Sequence, residues 1–206
     1  MVNFTQVGNG VNTQPLLAQV LGQPHLWDKN PCRLSKHGPH HESNDIFLRS
    51  NDETPMLADK ALWSTYVRKH TSVWYQSIDL LPAAKPLIYG VMLGAQAEQL
   101  GGVYIYKLKP GCKIHPHIDT GWHPDYYTKF NICLQSNPQA AFVYYDELLV
   151  QQAGDVHNFR NDVTHSVINE GVTDHIIMTV CVRTDDGYRC PWSPEGWSLD
   201  KQIRGE

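Results

Sequence analysis

Two histidines and one aspartate are the residues of this sequence whose types and positions best fit metal chemistry. The run HPHID, residues 115–119, predicts a strand, and side chains alternate along a strand, so His117 and Asp119 share one face. A third ligand is predicted at His165, near the start of the penultimate predicted strand. Two imidazoles and one carboxylate on one face of an octahedral ion leave three positions open. Fe(II) needs that arrangement to hold both an organic chelator and dioxygen, so the spacing predicts an iron site.

Two other interpretations of these histidines compete with the metal site. An HxD tripeptide arises readily by chance in a chain with 11 histidines. Its position favours the metal interpretation, because HPHID follows a Pro-Gly turn and His165 lies ten residues after a Gly-Asp turn. His115 shares the strand parity of His117 and is the local rival as a ligand. Pro116 and the start of the strand favour a place for His115 at the rim of the fold.

The second half of the chain has the short hydrophobic period of β-strands. About eight short strands with turn residues between them are predicted, which is typical of a sandwich or barrel, and eight is the jelly-roll number. They cover residues 102–109, 112–119, 127–135, 139–146, 147–152, 156–159, 164–169 and 173–183. Such a series provides the strands that must hold the three ligands together.

The first 100 residues are predicted to cover the barrel rather than to form its core. Asp45–Ser50 is the one strand expected there, and the polar run KHGPHHESND, residues 36–45, is expected to be exposed. Helices are predicted at Ala58–Lys69 and Pro86–Leu100. The second helix is expected to end at the glycine pair that follows it.

Length and composition predict one globular domain, residues 1–206. Within it, 1–100 form the N-terminal cover and helices, 101–184 the barrel core and 185–206 an irregular flap. A net charge of −4 and a pI near 6.2 give no basic surface for phosphate backbones, so direct nucleic-acid binding is not expected. Five scattered cysteines without a CxxC spacing favour neither disulfides nor a zinc knuckle. With no signal peptide or membrane span evident, we expect a cytoplasmic protein.

Four runs in the second half of the chain carry a family resemblance: LKPGCKIHPHIDTG (108–121), KFNICLQSNP (129–138), AGDVHNFRNDVTHSVINEG (153–171) and TDHIIMTV (173–180). They resemble, in this order, the aspartyl/asparaginyl β-hydroxylase-like branch of the 2-oxoglutarate and Fe(II)-dependent oxygenases. That branch includes free-proline hydroxylases. The resemblance extends over about 80 of the 206 residues.

The resemblance implies a mainly β fold with flanking helices, built as a double-stranded β-helix (jelly-roll, cupin-like) barrel. It implies His117, Asp119 and His165 as the iron ligands. It also implies hydroxylation of an unactivated C–H bond in an amino acid, a peptide side chain or a small acid. Fe(II), 2-oxoglutarate as co-substrate and O2 would then be required, and succinate would be released.

The co-substrate residues depart from the family pattern. In most relatives an arginine ten residues after the distal histidine holds the distal carboxylate of 2-oxoglutarate, and here that position is His175. Asn131 stands where histidine is common, whereas the basic residue of the same run is retained as Lys129. Either Lys129 binds the carboxylate with His175 assisting, or the co-substrate pocket has been lost. Tyr106 and Arg183 complete the predicted co-substrate set. A histidine clamp would weaken as pH rises past neutrality.

The substrate is expected at the open end of the barrel, near the loop TGWHPDYY, residues 120–127. Trp122 and His123 of this loop, together with Arg49 and Arg33, are the predicted substrate contacts. The main alternative is a cupin-like metalloenzyme that has the same barrel and metal but does not use 2-oxoglutarate. A third possibility is a binding module that has kept the fold without catalysis.

Overall fold

The computed structural model describes residues 3–30, 38–52, 54–59, 61, 72–120 and 122–183. Its strands are β1 (Phe4–Gly8), β2 (Asn44–Asn51), β3 (Ser72–Trp74), β4 (Gln99–Leu108), β5 (Lys113–His117), β6 (Thr128–Gln135), β7 (Ala140–Val143), β8 (Leu148–Leu149), β9 (Val156–Phe159), β10 (His165–Asn169) and β11 (His175–Arg183). Its α-helices are α1 (Gln14–Gly22), α2 (Thr54–Ala58), α3 (Ser77–Leu80), α4 (Ala84–Gly94) and α5 (Trp122–Tyr126).

The strands form two antiparallel sheets. The major sheet has the order β1-β9-β6-β11-β4-β2-β3, and the minor sheet has the order β5-β10-β7-β8. Non-consecutive neighbours in both sheets are the mark of a jelly roll rather than of a simple meander. This mainly β architecture with flanking helices confirms the predicted fold class.

The major sheet is buried on both faces, because it lies between two hydrophobic cores. Along β4, Ile105 belongs to the core that includes α1 and α4, whereas Tyr106 belongs to the core shared with the minor sheet. Met178 and Ile177 divide in the same way on β11. This alternation follows from the two-residue period of a strand. It sends one face of β4, β6 and β11 towards the minor sheet, where the predicted ligands lie.

The N-terminal segment is part of the fold and not only a cover. β1 pairs with β9, with Phe4 opposite Phe159, and Leu16 and Val20 of α1 are 1% and 0% exposed. The predicted strand Asp45–Ser50 is confirmed as β2, but the expectation that it is the one strand of this region was wrong. The five residues of β1 show no alternation of apolar and polar residues, so their sequence gives no period-two signal.

The predicted helix Pro86–Leu100 is shorter than expected. α4 ends at Gly94, and Gln96 adopts a left-handed conformation with φ of 49°, which turns the chain out of the helix. The glycine pair that was expected to end this helix lies in β4 instead. A Cβ at Gly101 would come within 2.8 Å of the Tyr127 ring, so this glycine makes room for an aromatic side chain.

Two other predicted elements differ from the structure, and two fall mostly or wholly outside the described residues. The strand predicted at 147–152 is reduced to β8, and the loop predicted at 120–127 contains α5. The predicted helix Ala58–Lys69 and the flap at 185–206 fall almost wholly outside the described residues, and α2 ends where that helix was expected to begin. Within the described ranges, no helix has the length and apolar character needed to cross a membrane.

Candidate metal centre

β5 and β10 hold two of the predicted ligands opposite each other. His117 and His165 are Cα partners across these antiparallel strands, and their ring centroids are 4.4 Å apart. Asp119 comes just after β5, where its backbone N–H donates to the carbonyl of Asn161 at 3.1 Å. The structure thus brings together the three residues that the spacing singled out. We refer to His117, Asp119 and His165 as the barrel triad.

The donor atoms of the barrel triad converge. Asp119 Oδ1 lies 3.6 Å from His117 Nε2, and Asp119 Oδ2 lies 4.0 Å from His165 Nε2. All three ligand atoms are within 4.8 Å of one another. Ligands about 2.1 Å from one ion are separated by roughly 3 to 3.4 Å when they are neighbours around it. Small side-chain adjustments therefore suffice for all three to reach a single ion.

Backbone carbonyls fix the orientation of both imidazole rings. His117 Nδ1 lies 2.7 Å from the His115 carbonyl oxygen, and His165 Nδ1 lies 2.9 Å from that of Val163. Because a carbonyl only accepts, each Nδ1 carries the proton and each Nε2 keeps a lone pair. Hydrogen bonds of this kind are what orient ligating histidines in metalloproteins. The donor set and its tautomers therefore fit a metal ion such as Fe(II).

The charges at the site also suit a metal. Lys129 Nζ donates to Asp119 Oδ2 at 2.5 Å. Burial opposes ionisation of Asp119, but the neighbouring His117 imidazole and the charge and hydrogen bond of Lys129 outweigh it and lower the pKa of this carboxyl. Burial lowers the pKa of His165, which favours its neutral form. A carboxylate and a neutral imidazole are the protonation states that bind metals.

Aromatic side chains close one side of the barrel triad. The Phe142 ring stacks on His165 with centroids 5.4 Å apart, and Phe159 meets the same imidazole edge-on at 5.9 Å. His40 packs against His117 with its ring at 4.9 Å. His165 is only 5% exposed as a result.

The barrel triad lines a cavity, and polar side chains form the opposite wall of that cavity. This wall is formed by Lys129 and Asn131 of β6, Thr179 of β11 and Tyr106 of β4. Thr179 Oγ1 donates to Asn131 Oδ1 at 2.7 Å. Tyr106 Oη, in contrast, is buried and has no hydrogen-bond partner in the described part of the chain. A buried hydroxyl without a hydrogen-bond partner costs about 1 to 3 kcal/mol of stability. Binding of a ligand that accepts a hydrogen bond from Tyr106 Oη would therefore be favoured.

His175 lies outside the lining of this cavity. Its Nδ1 is 2.9 Å from Ser136 Oγ, and its ring meets that of Tyr106 with centroids 6.2 Å apart. Burial lowers the pKa of His175 to about 4, so the imidazole is neutral at neutral pH. The structure thus gives this side chain a packing contact behind Tyr106, and not the cationic clamp expected from the sequence.

Arg183 also lies away from the cavity. Its guanidinium forms an ion pair with Glu98 at 3.3 Å and stacks on the Tyr126 ring at 3.9 Å. These contacts hold the end of β11 against α5. The structure does not bring Arg183 to the barrel triad.

Arg49 and His123, two of the predicted substrate contacts, are likewise not among the described residues that line the cavity. Arg49 lies over the Trp74 ring at 5.0 Å, and His123 packs in α5 beside the end of the major sheet. Trp122 begins α5, but the position of its side chain is not described. Arg33 lies outside the described residues.

Sequence reasoning missed several residues that line the cavity. His40 belongs to the polar run 36–45 that was expected to be exposed, yet it contacts His117. Asp45 is 4% exposed and lines the cavity beside Tyr104. The shared strand parity of Tyr104 and Tyr106 was a signal for Tyr104. His40 had none, because only tertiary packing brings its loop to β5.

The similarities to known proteins concern the fold. No protein-family model and no curated protein sequence matches this chain. It is similar in structure to an oxidoreductase of the 2OG-Fe(II) oxygenase family from Burkholderia pseudomallei. That match has a TM-score of 0.57 over 88% of this chain and 84% of the other, at 13% identity.

Two smaller proteins align with part of the chain. A predicted oxalate decarboxylase from Thermotoga maritima aligns over 41% of this chain and 68% of its own at 22% identity, with a TM-score of 0.33. A cupin domain from Bordetella pertussis aligns over 42% of this chain and 85% of its own at 15% identity, also with a TM-score of 0.33. Among these three proteins, the Burkholderia protein is the one that shares the fold across most of both chains.

Proposed function

We propose that this chain is an Fe(II)- and 2-oxoglutarate-dependent dioxygenase that hydroxylates an unactivated C–H bond of an amino acid, a peptide side chain or a small acid. The observation that carries the proposal is the barrel triad, whose two imidazole Nε2 atoms and one carboxylate converge inside a jelly roll. This ligand set leaves three coordination positions for co-substrate and dioxygen. The fold shared with the Burkholderia pseudomallei oxidoreductase supports the same function.

When bound, Fe(II) and 2-oxoglutarate supply the oxidation: O2 is consumed, 2-oxoglutarate becomes succinate and CO2, and one oxygen atom is inserted into the substrate C–H bond. The protein supplies binding, orientation and exclusion of water. His117 and His165 keep their donor atoms in place because backbone carbonyls hold both rings. Phe142 and Phe159 pack on His165 and keep water from that side.

Lys129 is the proposed cation for a carboxylate of 2-oxoglutarate. Burial disfavours its charge, but Tyr104 and Asp119 outweigh burial and raise its pKa, so it stays an ammonium. Tyr106 Oη, the buried donor without a partner, is proposed as a second contact. Asn131 stands beside them on the wall. His175 and Arg183 would then act through packing, because neither lines the cavity.

The substrate is proposed to approach on the side of His40 and His117. His40 lines the cavity and is only half-buried, so this side opens to solvent. The predicted contacts Trp122, His123 and Arg49 lie on elements around the major sheet and stay candidates for the outer part of a longer substrate.

A cupin-like metalloenzyme that does not use 2-oxoglutarate is the second candidate. The observation that favours it is the buried carboxyl group of Asp45 in the cavity lining, because an ionised carboxyl there would repel a dicarboxylate. In addition, no arginine is among the described residues that line the cavity. The ammonium group of a lysine cannot form the two parallel hydrogen bonds that a guanidinium forms, so a lysine holds a carboxylate less specifically than an arginine does.

The test is succinate release from 2-oxoglutarate by the full chain with Fe(II) and ascorbate, screened over amino acids and short peptides. We expect slow release without substrate, faster release with one of the panel, and none with His165→Ala. Binding of the inert analogue N-oxalylglycine is measured in parallel. An enzyme that binds Fe(II) but neither turns over 2-oxoglutarate nor binds the analogue would overturn the proposal in favour of the cupin-like candidate.

A further inference from the structure

A second group of histidine and carboxylate ligands lies at the outer end of β5. His115 projects from β5, and His41 and Glu42 come from the segment that crosses it. We propose that these three residues, which we call the rim cluster, form a second site for a divalent transition-metal ion, separate from the barrel triad. This site does not depend on 2-oxoglutarate chemistry.

The segment that carries His41 and Glu42 is held against β5 by hydrogen bonds from the backbone N–H groups of that strand. The His115 N–H donates to the Pro39 carbonyl at 2.9 Å, and the Lys113 N–H donates to Glu42 Oε2 at 3.0 Å. Ser43 Oγ closes the segment on the His40 carbonyl at 2.9 Å. The loop is therefore placed against the strand without help from an ion.

The donor atoms of the rim cluster converge on one carboxylate oxygen. Glu42 Oε1 lies 2.8 Å from His115 Nε2 and 3.5 Å from His41 Nε2. All three ligand atoms lie within 4.8 Å of one another. Neighbouring ligands around a tetrahedral Zn²⁺ stand roughly 3.3 Å apart, so one distance already fits and the 2.8 Å contact has to open by about 0.5 Å.

His41 and Glu42, the two ligands from the loop, each use their second polar side-chain atom in a hydrogen bond to the protein. His41 Nδ1 lies 2.8 Å from the Gly38 carbonyl oxygen, so Nδ1 carries the proton and Nε2 keeps its lone pair. Glu42 Oε2 accepts from Lys113, which leaves Oε1 for the ion. The His41 and His115 rings stack with centroids 4.6 Å apart, and this contact limits their rotation. The rim cluster thus has the outer contacts that orient metal ligands.

Exposure sets the kind of site. The side chains of His41, Glu42 and His115 are 36%, 28% and 34% exposed, so an ion can enter from solvent and keep one or more waters. Two histidines, one glutamate and water form a known ligand set for Zn²⁺. Among first-row divalent ions, affinity for such nitrogen and oxygen ligands rises towards Cu²⁺ and remains high for Zn²⁺.

The rim cluster is next to the cavity of the barrel triad. His40 precedes His41 in the chain, packs on the His117 ring and lines that cavity. An ion that ties His41 and Glu42 to β5 would therefore restrain one wall of the cavity. The alternative is that the rim cluster only fastens this loop, through the hydrogen bond between His115 and Glu42.

Metal counting distinguishes the two alternatives. The full chain is dialysed against low micromolar free Zn²⁺, and bound zinc is measured for wild type, His41→Ala, Glu42→Gln, His165→Ala and the double variant His41→Ala/His165→Ala. His25, an exposed histidine that belongs to neither site, provides the control His25→Ala. We expect each of His41→Ala and His165→Ala to lose one ion relative to wild type, and the double variant to lose two. His25→Ala should lose none.

Glu42→Gln keeps the shape of the side chain and removes its charge, so we expect zinc to bind at least about tenfold more weakly at the rim cluster. If His41→Ala and Glu42→Gln leave the number of bound zinc ions unchanged, the proposal is overturned, and the rim cluster only holds the loop against β5. Failure of the barrel triad to bind a divalent metal would instead appear as an unchanged zinc count in His165→Ala.

Thermal unfolding gives an independent readout. In the His165→Ala background, zinc that still binds at the rim cluster should raise Tm, because an ion that binds only the folded state stabilises it. The double variant should lose that increase. Circular dichroism without metal checks that each variant folds. An equal Tm increase in both backgrounds would contradict a site at His41.

Discussion

The barrel triad and the rim cluster have the same composition, two histidines and one carboxylate, in different surroundings. The triad comes from two paired strands and the turn after one of them, and His165 is 5% exposed. The rim cluster takes two of its ligands from one loop, and its side chains are about a third exposed. Ligand types alone therefore do not identify a catalytic ion. A rigid scaffold that excludes water distinguishes the first site from the second.

The largest expected effect separates the two sites by activity. His165→Ala removes one ligand and should lower turnover by about 100-fold or more, since changes even to the partners of ligands cost about 10- to 100-fold. His41→Ala should stay within a few-fold of wild type, because the rim cluster does not hold the reacting ion. Succinate release with a substrate from the screen is the measurement. Equal losses in both variants would break the distinction between the sites.

A second prediction concerns the charge that only the barrel triad has beside it. Lys129→Met leaves Asp119 without its ammonium partner and removes the proposed cation for 2-oxoglutarate. A charged hydrogen bond contributes about 1.5 to 3 kcal/mol, so the KM for 2-oxoglutarate should rise by roughly 10- to 100-fold. The matched control is Lys129→Arg, which keeps the charge and should recover part of the affinity. An unchanged KM in Lys129→Met would remove Lys129 from co-substrate binding.

A third prediction tests the scaffold of the barrel triad. Gly171 lies in the turn from β10, the strand of His165, to β11, and a Cβ there would collide with Asn137 Oδ1. Asn137 is not free to move, since its amide donates to Asn169 Oδ1 and to the Thr173 carbonyl, both at 3.0 Å. Gly171→Ala should lower the free energy of unfolding by about 1 to 3 kcal/mol.

Urea denaturation measures this change, with Gly90→Ala as the control. Gly90 lies inside α4, and a Cβ added there would have nothing within 4 Å, so alanine should be neutral or slightly stabilising. Similar free energies of unfolding for the two variants would mean that the turn accommodates the added methyl group and that the strands that carry the triad are less rigid than proposed.

The smallest effect is a pH dependence of stability at His175. Its pKa is lowered from 6.5 to about 4 in the folded protein, so the unfolded state binds more protons between these values. Stability from this group is therefore present above about pH 6.5 and is lost as pH falls, by about 1 kcal/mol between pH 7.5 and 5.5. Wild type and His175→Asn compared by urea denaturation at both pH values isolate this contribution. An identical pH dependence in the two proteins would contradict it.

The same lowered pKa has a consequence for co-substrate binding. A neutral His175 cannot act as a cationic clamp, so 2-oxoglutarate affinity should not fall as pH rises past neutrality on account of this residue. A fall that His175→Asn abolishes would restore the role expected from the sequence.

The sequence predicted the fold class and, for local reasons, the three triad residues, although Asp119 lies just after β5 and not within the predicted strand 112–119. A strand period of two is visible within HPHID, and turn residues mark where the strand of His165 begins. Loop docking is not local, so the contact of His40 with His117 had no signal. The burial of Asp45 had none either, because it depends on the pairing of β2 with the distant β4. α4 was overextended because Gln96, and not a glycine, takes the left-handed position after it. β1 was missed because its partner β9 lies about 150 residues away.

The order of strands in the major sheet has a consequence for how the chain folds. β11 is the last described strand, yet it lies in the middle of the sheet, where it pairs with β4 on one side and β6 on the other. β1, the first strand, likewise pairs with β9 near the end. Contacts so distant along the chain slow folding, because long loops must close before they form. During synthesis on the ribosome, β4 and β6 therefore cannot be joined in the major sheet until β11, which lies between them, has been made.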